Sequence, residues 1–220
     1  MAENIGLNFD DDEEVLEVEG VISKNQLDMF REQRIRYFDL ETQKSFDEVG
    51  GKRNPRKKDM RVSIGVIYCE PENEFKVYTE DKVQGLIDEL LSADLIVGFN
   101  NIGFDNEVLS GYTDVDLLKI PTVDMFIDFV DKTTYWLGLD GLYKNNIGGS
   151  GKSADGLQAL RWWKEGKVDL IIEYCKQDVA VTRDVYKFGV QNKRMKFERS
   201  GTIKEVDMEW KIRGNGGLNK

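Results

Sequence analysis

One carboxylate stands where a helix should be apolar. With Val168 to Gln191 set on a wheel at about 100° per residue, Val168, Ile171, Ile172, Cys175, Val179, Thr182, Val185 and Tyr186 gather on one side. Asp169, Glu173, Lys176, Arg183, Asp184, Lys187 and Gln191 gather on the other. Asp178 falls inside the apolar arc as its only charge, with Tyr174 one turn earlier on its flank, at the i, i+4 spacing of helix neighbours. An ionised carboxylate in apolar surroundings is costly unless a positive group compensates it. The helix therefore calls for a bound cation or for an ion pair with a lysine or arginine of a neighbouring element.

Two further acidic positions could share that chemistry. In Phe38-Asp39-Leu40-Glu41-Thr42, side chains two apart on a strand share a face, so Asp39 and Glu41 project together. Such a pair can coordinate a divalent cation, and a strand running out into solvent would carry it equally well. In Gly98-Phe99-Asn100-Asn101-Ile102-Gly103-Phe104-Asp105, an apolar strand gives way to asparagines and then to Phe-Asp at a helix start. Asp105 taken alone reads most simply as an N-cap.

The elements that must position these residues follow from the periodicity. Arg34 to Leu40 reads as a strand, and Val62 to Cys69 and Glu74 to Thr79 as two more, antiparallel neighbours of the first. Asp81 to Ser92 reads as an amphipathic helix with Asp81 as its N-cap. Leu95 to Phe99 is continuously apolar, the pattern of a strand buried on both faces. The stretch from Asp114 to Gly151 mixes short helices with glycine-rich turns, and Asp155 to Lys164 and Val168 to Asn192 read as helices. Met195 to Ile212 reads as a hairpin around Ser200-Gly201. The expected class is α/β: three antiparallel strands plus parallel strands in one mixed sheet, flanked by helices. The expected division is an acidic N-terminal extension over 1–30, a central domain over 31–194, and a C-terminal hairpin and tail over 195–220.

Composition narrows the chemistry. The 220 residues contain no histidine, which excludes Ser-His-Asp and Cys-His nucleophile systems and histidine zinc sites. The two cysteines, Cys69 and Cys175, lie in apolar segments and read as core residues of a reducing cytoplasm. Any metal here takes oxygen ligands, which points to Mg²⁺ or Mn²⁺. No apolar run reaches membrane-spanning length, so no membrane association is expected. The formal charge of −10 opposes broad non-specific binding of nucleic acid without excluding a local basic groove. Lys52, Arg53, Arg56, Lys57, Lys58 and Arg61 form the densest such cluster, a phosphate-binding or merely solvated loop. Trp162-Trp163 could offer a stacking face, with one indole expected in the core and the other exposed or interfacial. Gly148 to Ser153 lacks the glycine spacing of a phosphate loop, since Asn146 stands where that glycine is needed.

Asp39-x-Glu41, Asn101-x-x-Phe104-Asp105 and Tyr174-x-x-x-Asp178 occur in this order, separated by 66 residues (39 to 105) and 73 residues (105 to 178). The set resembles the DEDD superfamily of 3′–5′ exonucleases (DnaQ-like, with an RNase H-like fold), in the subgroup with tyrosine in place of histidine. The wording from Gly151-Lys152-Ser153-Ala154-Asp155 through Trp162-Trp163 to Tyr174-Cys175 is most similar to YprB-type RNase H-like exonucleases. The resemblance spans roughly Arg34 to Gly189. It implies that Asp39, Glu41, Asp105 and Asp178 hold two divalent cations, Mg²⁺ or Mn²⁺, and that Tyr174 orients the attacking water. It further implies that Leu40 and Thr42 meet the terminal nucleotide of a single-stranded DNA or RNA 3′ end. Asn101 and Phe104 beside Asp105, and Lys52, Arg53 and Lys57 of the basic loop, are the further candidates for substrate binding. The competing expectation is a weakly active or inactive nucleic-acid-binding module of a larger helicase or repair assembly. The acidic run Asp10 to Glu14 could dock a protein partner or mask the basic loop. Nothing in the residues signals an oligomeric state.

Overall fold

The computed structural model describes residues 32–149 and 156–214. The acidic extension, with its proposed docking role, and the segments 150–155 and 215–220 lie outside the described residues.

Five strands follow β1 (Ile35–Thr42) in one mixed sheet. They are β2 (Val62–Glu70), β3 (Glu74–Thr79), β4 (Leu95–Gly98), β5 (Thr122–Asp124) and β8 (Ile212–Arg213), in the spatial order β3-β2-β1-β4-β5-β8. The chain enters as the antiparallel meander β1–β2–β3, Asp39 lying opposite Val66 and Glu41 opposite Ile64. It then crosses over to lay β4 parallel to β1, and β5 parallel to β4. Strands β6 (Arg194–Arg199) and β7 (Thr202–Asp207) form a separate hairpin around Ser200-Gly201. This is the expected α/β architecture, a mixed sheet of the RNase H-like kind.

The central strands are apolar on both faces because helices cover both. On one face Tyr37, Val66, Val97 and Val123 pack with Phe129, Ile171, Cys175 and Val179. On the other, Phe38, Leu40, Ile67 and Ile96 pack with Leu86, Ile87 and Leu90. Burying each such side chain contributes about 1.5–3 kcal/mol. The helices are α1 (Val83–Leu91), α2 (Asp105–Leu109), α3 (Met125–Thr133), α4 (Leu139–Asn146), α5 (Gly156–Lys164) and α6 (Val168–Asn192). Helix α6 matches the sequence expectation at both ends, and its apolar arc lies over β1 and β2.

Several local expectations change. Asp81 does not cap α1: it sits inside a 3₁₀ turn, Glu80–Lys82, and α1 begins at Val83. Strand β5, three residues between Pro121 and a helix, is too short to show a period of its own. Asp124, its last residue, is the N-cap of α3. The C-terminal segment goes beyond a hairpin, since β8 pairs antiparallel with β5, and Arg213 with the Lys211 N–H holds the buried Asp128 carboxylate at 2.7 and 2.8 Å. Both cysteines are buried and free, as expected.

Candidate functional site

β1 runs past the end of its parallel partner. Its pairing with β4 stops at Tyr37, and its register with β2 shifts between Glu41 and Thr42. Shifts of this kind re-aim side chains where a ladder ends. Asp39 and Glu41 therefore project on one face, still paired with β2 but beyond the β4 pairing, beneath α6.

Three carboxylates from distant segments meet there. Asp39, Glu41 and Asp178 each offer an oxygen within 4.8 Å of the others. Asp178 is buried, and the other two are half-buried. Asp105, also buried, turns away from its own helix end. Its Oδ1 accepts the Leu40 N–H at 3.1 Å, in the place a continued β4 would have filled. It is not the N-cap of α2, a position that Phe104 occupies. All four carboxylates line one cavity of about 410 Å³ with Tyr174, Leu40, Thr42, Phe104, Ser45, Phe46, Met60, Phe99, Asn100, Leu157 and Leu160. No lysine or arginine is among these lining residues.

Neighbouring charge and burial set the protonation of the surrounding groups. Burial, reinforced by Asp39, pushes the Asp105 carboxyl well above the usual carboxylate range. Burial also pushes the Tyr174 phenol up, and the charges of Asp178, Glu41 and Asp39 add to that, as does its hydrogen bond to Asp178. Tyr174 is thus a neutral hydrogen-bond donor at neutral pH. Its ring is held by Trp162 at 6.2 Å between centroids. The buried Cys175 thiol lies 3.4 Å from the Asp39 carbonyl and 3.6 Å from its Oδ2, so it supports that carboxylate. Burial raises this thiol well above its ordinary range, followed by the same acidic cluster, which keeps it protonated.

The donor set fits a hard divalent cation. Several carboxylate oxygens converge with no protein cation in the wall, and oxygen ligands of this kind suit Mg²⁺ or Mn²⁺.

The other sequence-derived candidates divide. Leu40, Thr42 and Phe104 line the cavity. The Asn101 side chain is buried, and a Cβ on Gly98 would meet its Cγ at 2.5 Å, so it packs under the β4 end while Asn100 faces the cavity. Asn100 reaches that position with φ +65, a left-handed conformation that asparagine tolerates. Lys57 donates from Nζ to the Gly103 carbonyl at 2.6 Å, tying the basic loop to the segment that carries Asp105. Lys52 and Arg53 are exposed and do not line the cavity. Trp162 and Trp163 are both half-buried against the core, so neither is the fully buried ring expected of the pair.

Sequence reasoning missed Asp124. It is fully buried and accepts four backbone N–H bonds: Asn100, Phe126 and Ile127 on Oδ1 (2.9, 3.1 and 3.2 Å), and Ile102 on Oδ2 (3.0 Å). It thereby fixes the Asn100–Ile102 turn against α3. Its position just ahead of the apolar run Met125-Phe126-Ile127 is the available N-cap signal.

Fold and site together define an RNase H-like α/β domain with an acidic cavity at the C-terminal end of β1. No family model and no curated protein matches the chain. Among solved structures it is similar to the family B DNA polymerase from the hyperthermophilic archaeon Pyrobaculum calidifontis, with a TM-score of 0.54 and 18% identity. The match covers 73% of this chain and 25% of the polymerase, so this chain corresponds to about a quarter of that protein's length, and the likeness is one of fold. Among the described residues no helix is long and apolar enough to cross a membrane.

Proposed function

We propose that this chain is a divalent-metal-dependent 3′–5′ exonuclease that shortens single-stranded DNA or RNA and releases nucleoside 5′-monophosphates. The observation that carries the reading is the convergence of Asp39, Glu41 and Asp178 within 4.8 Å, in a cavity that also holds Asp105. The likeness in fold to a DNA polymerase agrees with a nucleic-acid substrate.

Asp39, Glu41, Asp178 and Asp105 would hold the cations. Bound there, they supply an activated water and charge neutralisation at the phosphate and the departing oxygen. Tyr174, a phenol with its pKa raised, is not suited to removing a proton; its single O–H, bonded to Asp178 in this structure, would turn to orient the attacking water or a phosphate oxygen once cations hold Asp178. The apolar wall of Leu40, Phe46, Met60 and Phe104 fits a nucleoside. Phe46 and Phe104 form an edge-on pair with centroids 5.8 Å apart, and both line the cavity.

The test is incubation of 3′-labelled and 5′-labelled single-stranded DNA and RNA with Mn²⁺, beside Asp39→Ala and Asp178→Ala. The expected result is a ladder that shortens from the 3′ end and vanishes in both variants. Internal cuts would mark an endonuclease, and binding without shortening would mark a nucleic-acid-binding module; either refutes the reading.

A further inference from the structure

Besides Tyr174, whose ring contacts the half-buried Trp162, the cavity wall carries two groups of phenylalanines, and only one of these runs out to an exposed ring. Phe46 and Phe104 contact each other and stay within the cavity. Phe99, which also lines the cavity, meets Phe126 with centroids 5.4 Å apart at 63°. Phe126 in turn meets Trp136 at 5.4 Å and 88°. Trp136 is 76% exposed, the most exposed of the large hydrophobic side chains among the described residues. A perpendicular contact engages one face or one edge of the indole and leaves it a face open to solvent. An exposed tryptophan joined to a cavity by a continuous run of rings is unusual, since indole is a large apolar surface to leave in water.

We infer that Phe99, Phe126 and Trp136 form a stacking track for the single-stranded polynucleotide upstream of its 3′ end, with Trp136 as the outer platform. The inference rests on the exonuclease reading for the location of that end. A nucleoside in the carboxylate cavity must be followed by the rest of its strand, and aromatic faces accept bases of any identity. Two centroid steps of 5.4 Å separate Phe99 from Trp136 at most. At about 3.4 Å per nucleotide of stacked strand, Trp136 meets a base at most about three nucleotides from the one beside Phe99. The partner is therefore a strand longer than a dinucleotide, whose single step of about 3.4 Å is shorter than one ring-to-ring step of 5.4 Å.

Binding of a 5′-fluorescent dinucleotide and octanucleotide of thymidylate is measured by anisotropy. The protein is the full chain carrying Asp39→Ala, which blocks cleavage, with Trp136 intact or replaced by alanine or phenylalanine. Trp136→Ala is expected to weaken octanucleotide binding on the order of tenfold, to leave the dinucleotide unchanged, and to be largely rescued by Trp136→Phe. In the otherwise unmutated chain the same change raises KM for the octanucleotide and leaves kcat for the terminal cleavage in place. The melting temperature stays constant, because the side chain is exposed. Octanucleotide affinity and KM that ignore Trp136→Ala, or equal weakening at both lengths, overturn the track. Failure of the exonuclease reading shows separately, as an unmutated chain that shortens no strand in Mn²⁺, whatever Trp136 does to binding.

Discussion

Replacing Asp178 by asparagine is expected to stabilise the metal-free protein and to abolish its response to Mn²⁺. Three carboxylates place oxygens within 4.8 Å of one another. Two unit charges at that separation repel by about 0.9 kcal/mol at the dielectric constant of water and about 3.5 kcal/mol at an effective value near 20. The variant removes two such pairs. Asp178 is buried while Asp39 and Glu41 are half-buried, so the figure for water is a lower bound and the relief is at least about 2 kcal/mol. Against this stands a weaker hydrogen bond from Tyr174, at about 0.5–1.5 kcal/mol. The net gain of at least about 1 kcal/mol corresponds to a rise of roughly 2–4 °C or more in melting temperature for a chain of this size. The unmutated protein instead gains from the cation, by about 2.7 kcal/mol when Mn²⁺ is at a hundred times its Kd. Thermal melts of both proteins, in chelator and in Mn²⁺, read all four values. Most buried substitutions destabilise, so the expected sign is distinctive. A metal-free Asp178→Asn protein that melts below the unmutated one, and still shifts fully with Mn²⁺, refutes the reasoning.

Three other outcomes follow from the same geometry. Asp124→Ala removes four backbone acceptor bonds and a helix cap, and should lower unfolding stability by about 3 kcal/mol in urea titration; a loss below about 1 kcal/mol contradicts its anchoring role. Tyr174→Phe should slow strand shortening by on the order of a hundredfold while the Mn²⁺-dependent melting shift persists; equal loss of both would make it a structural residue only. Stability should fall in acid partly through Glu80, where burial pushes the carboxyl up but hydrogen bonds from Arg61, Tyr112 and Gln43 outweigh it and hold it below its usual 4.5. A depressed folded value contributes stability above the unfolded one that is lost as pH falls through the folded value. Urea titrations between about pH 6 and pH 3 should therefore show a shallower acid decline for Glu80→Gln, and parallel curves would remove Glu80 from that account.

The site was legible in the sequence where local periodicity alone places a side chain. The helical wheel put Asp178 and Cys175 on the arc that α6 lays over the sheet, and the strand period put Asp39 and Glu41 on Tyr37's side of β1. The rest depends on contacts between segments far apart in the chain. Asp105 looked like a cap because the Leu40 N–H that draws it off its helix lies 65 residues away. Asn101 and Asn100 are adjacent, and only the positive φ at Asn100 decides which of them faces the cavity. Lys57 belongs to a basic cluster by sequence and to the Asp105 segment by its bond to Gly103. β5 is three residues long and exists as a strand only because β4 and β8 flank it. Apolar runs reveal a core, but they do not reveal which loop a buried aspartate such as Asp124 gathers around itself.

The most direct measurement is the identity of the product formed in water enriched in ¹⁸O. A single-stranded oligonucleotide incubated with the protein and Mn²⁺ is expected to yield nucleoside 5′-monophosphates carrying one ¹⁸O, released from the 3′ end, and none with Asp39→Ala. Nucleoside 3′-phosphates, internal fragments, or release that persists in Asp39→Ala would contradict hydrolysis at the carboxylate cavity.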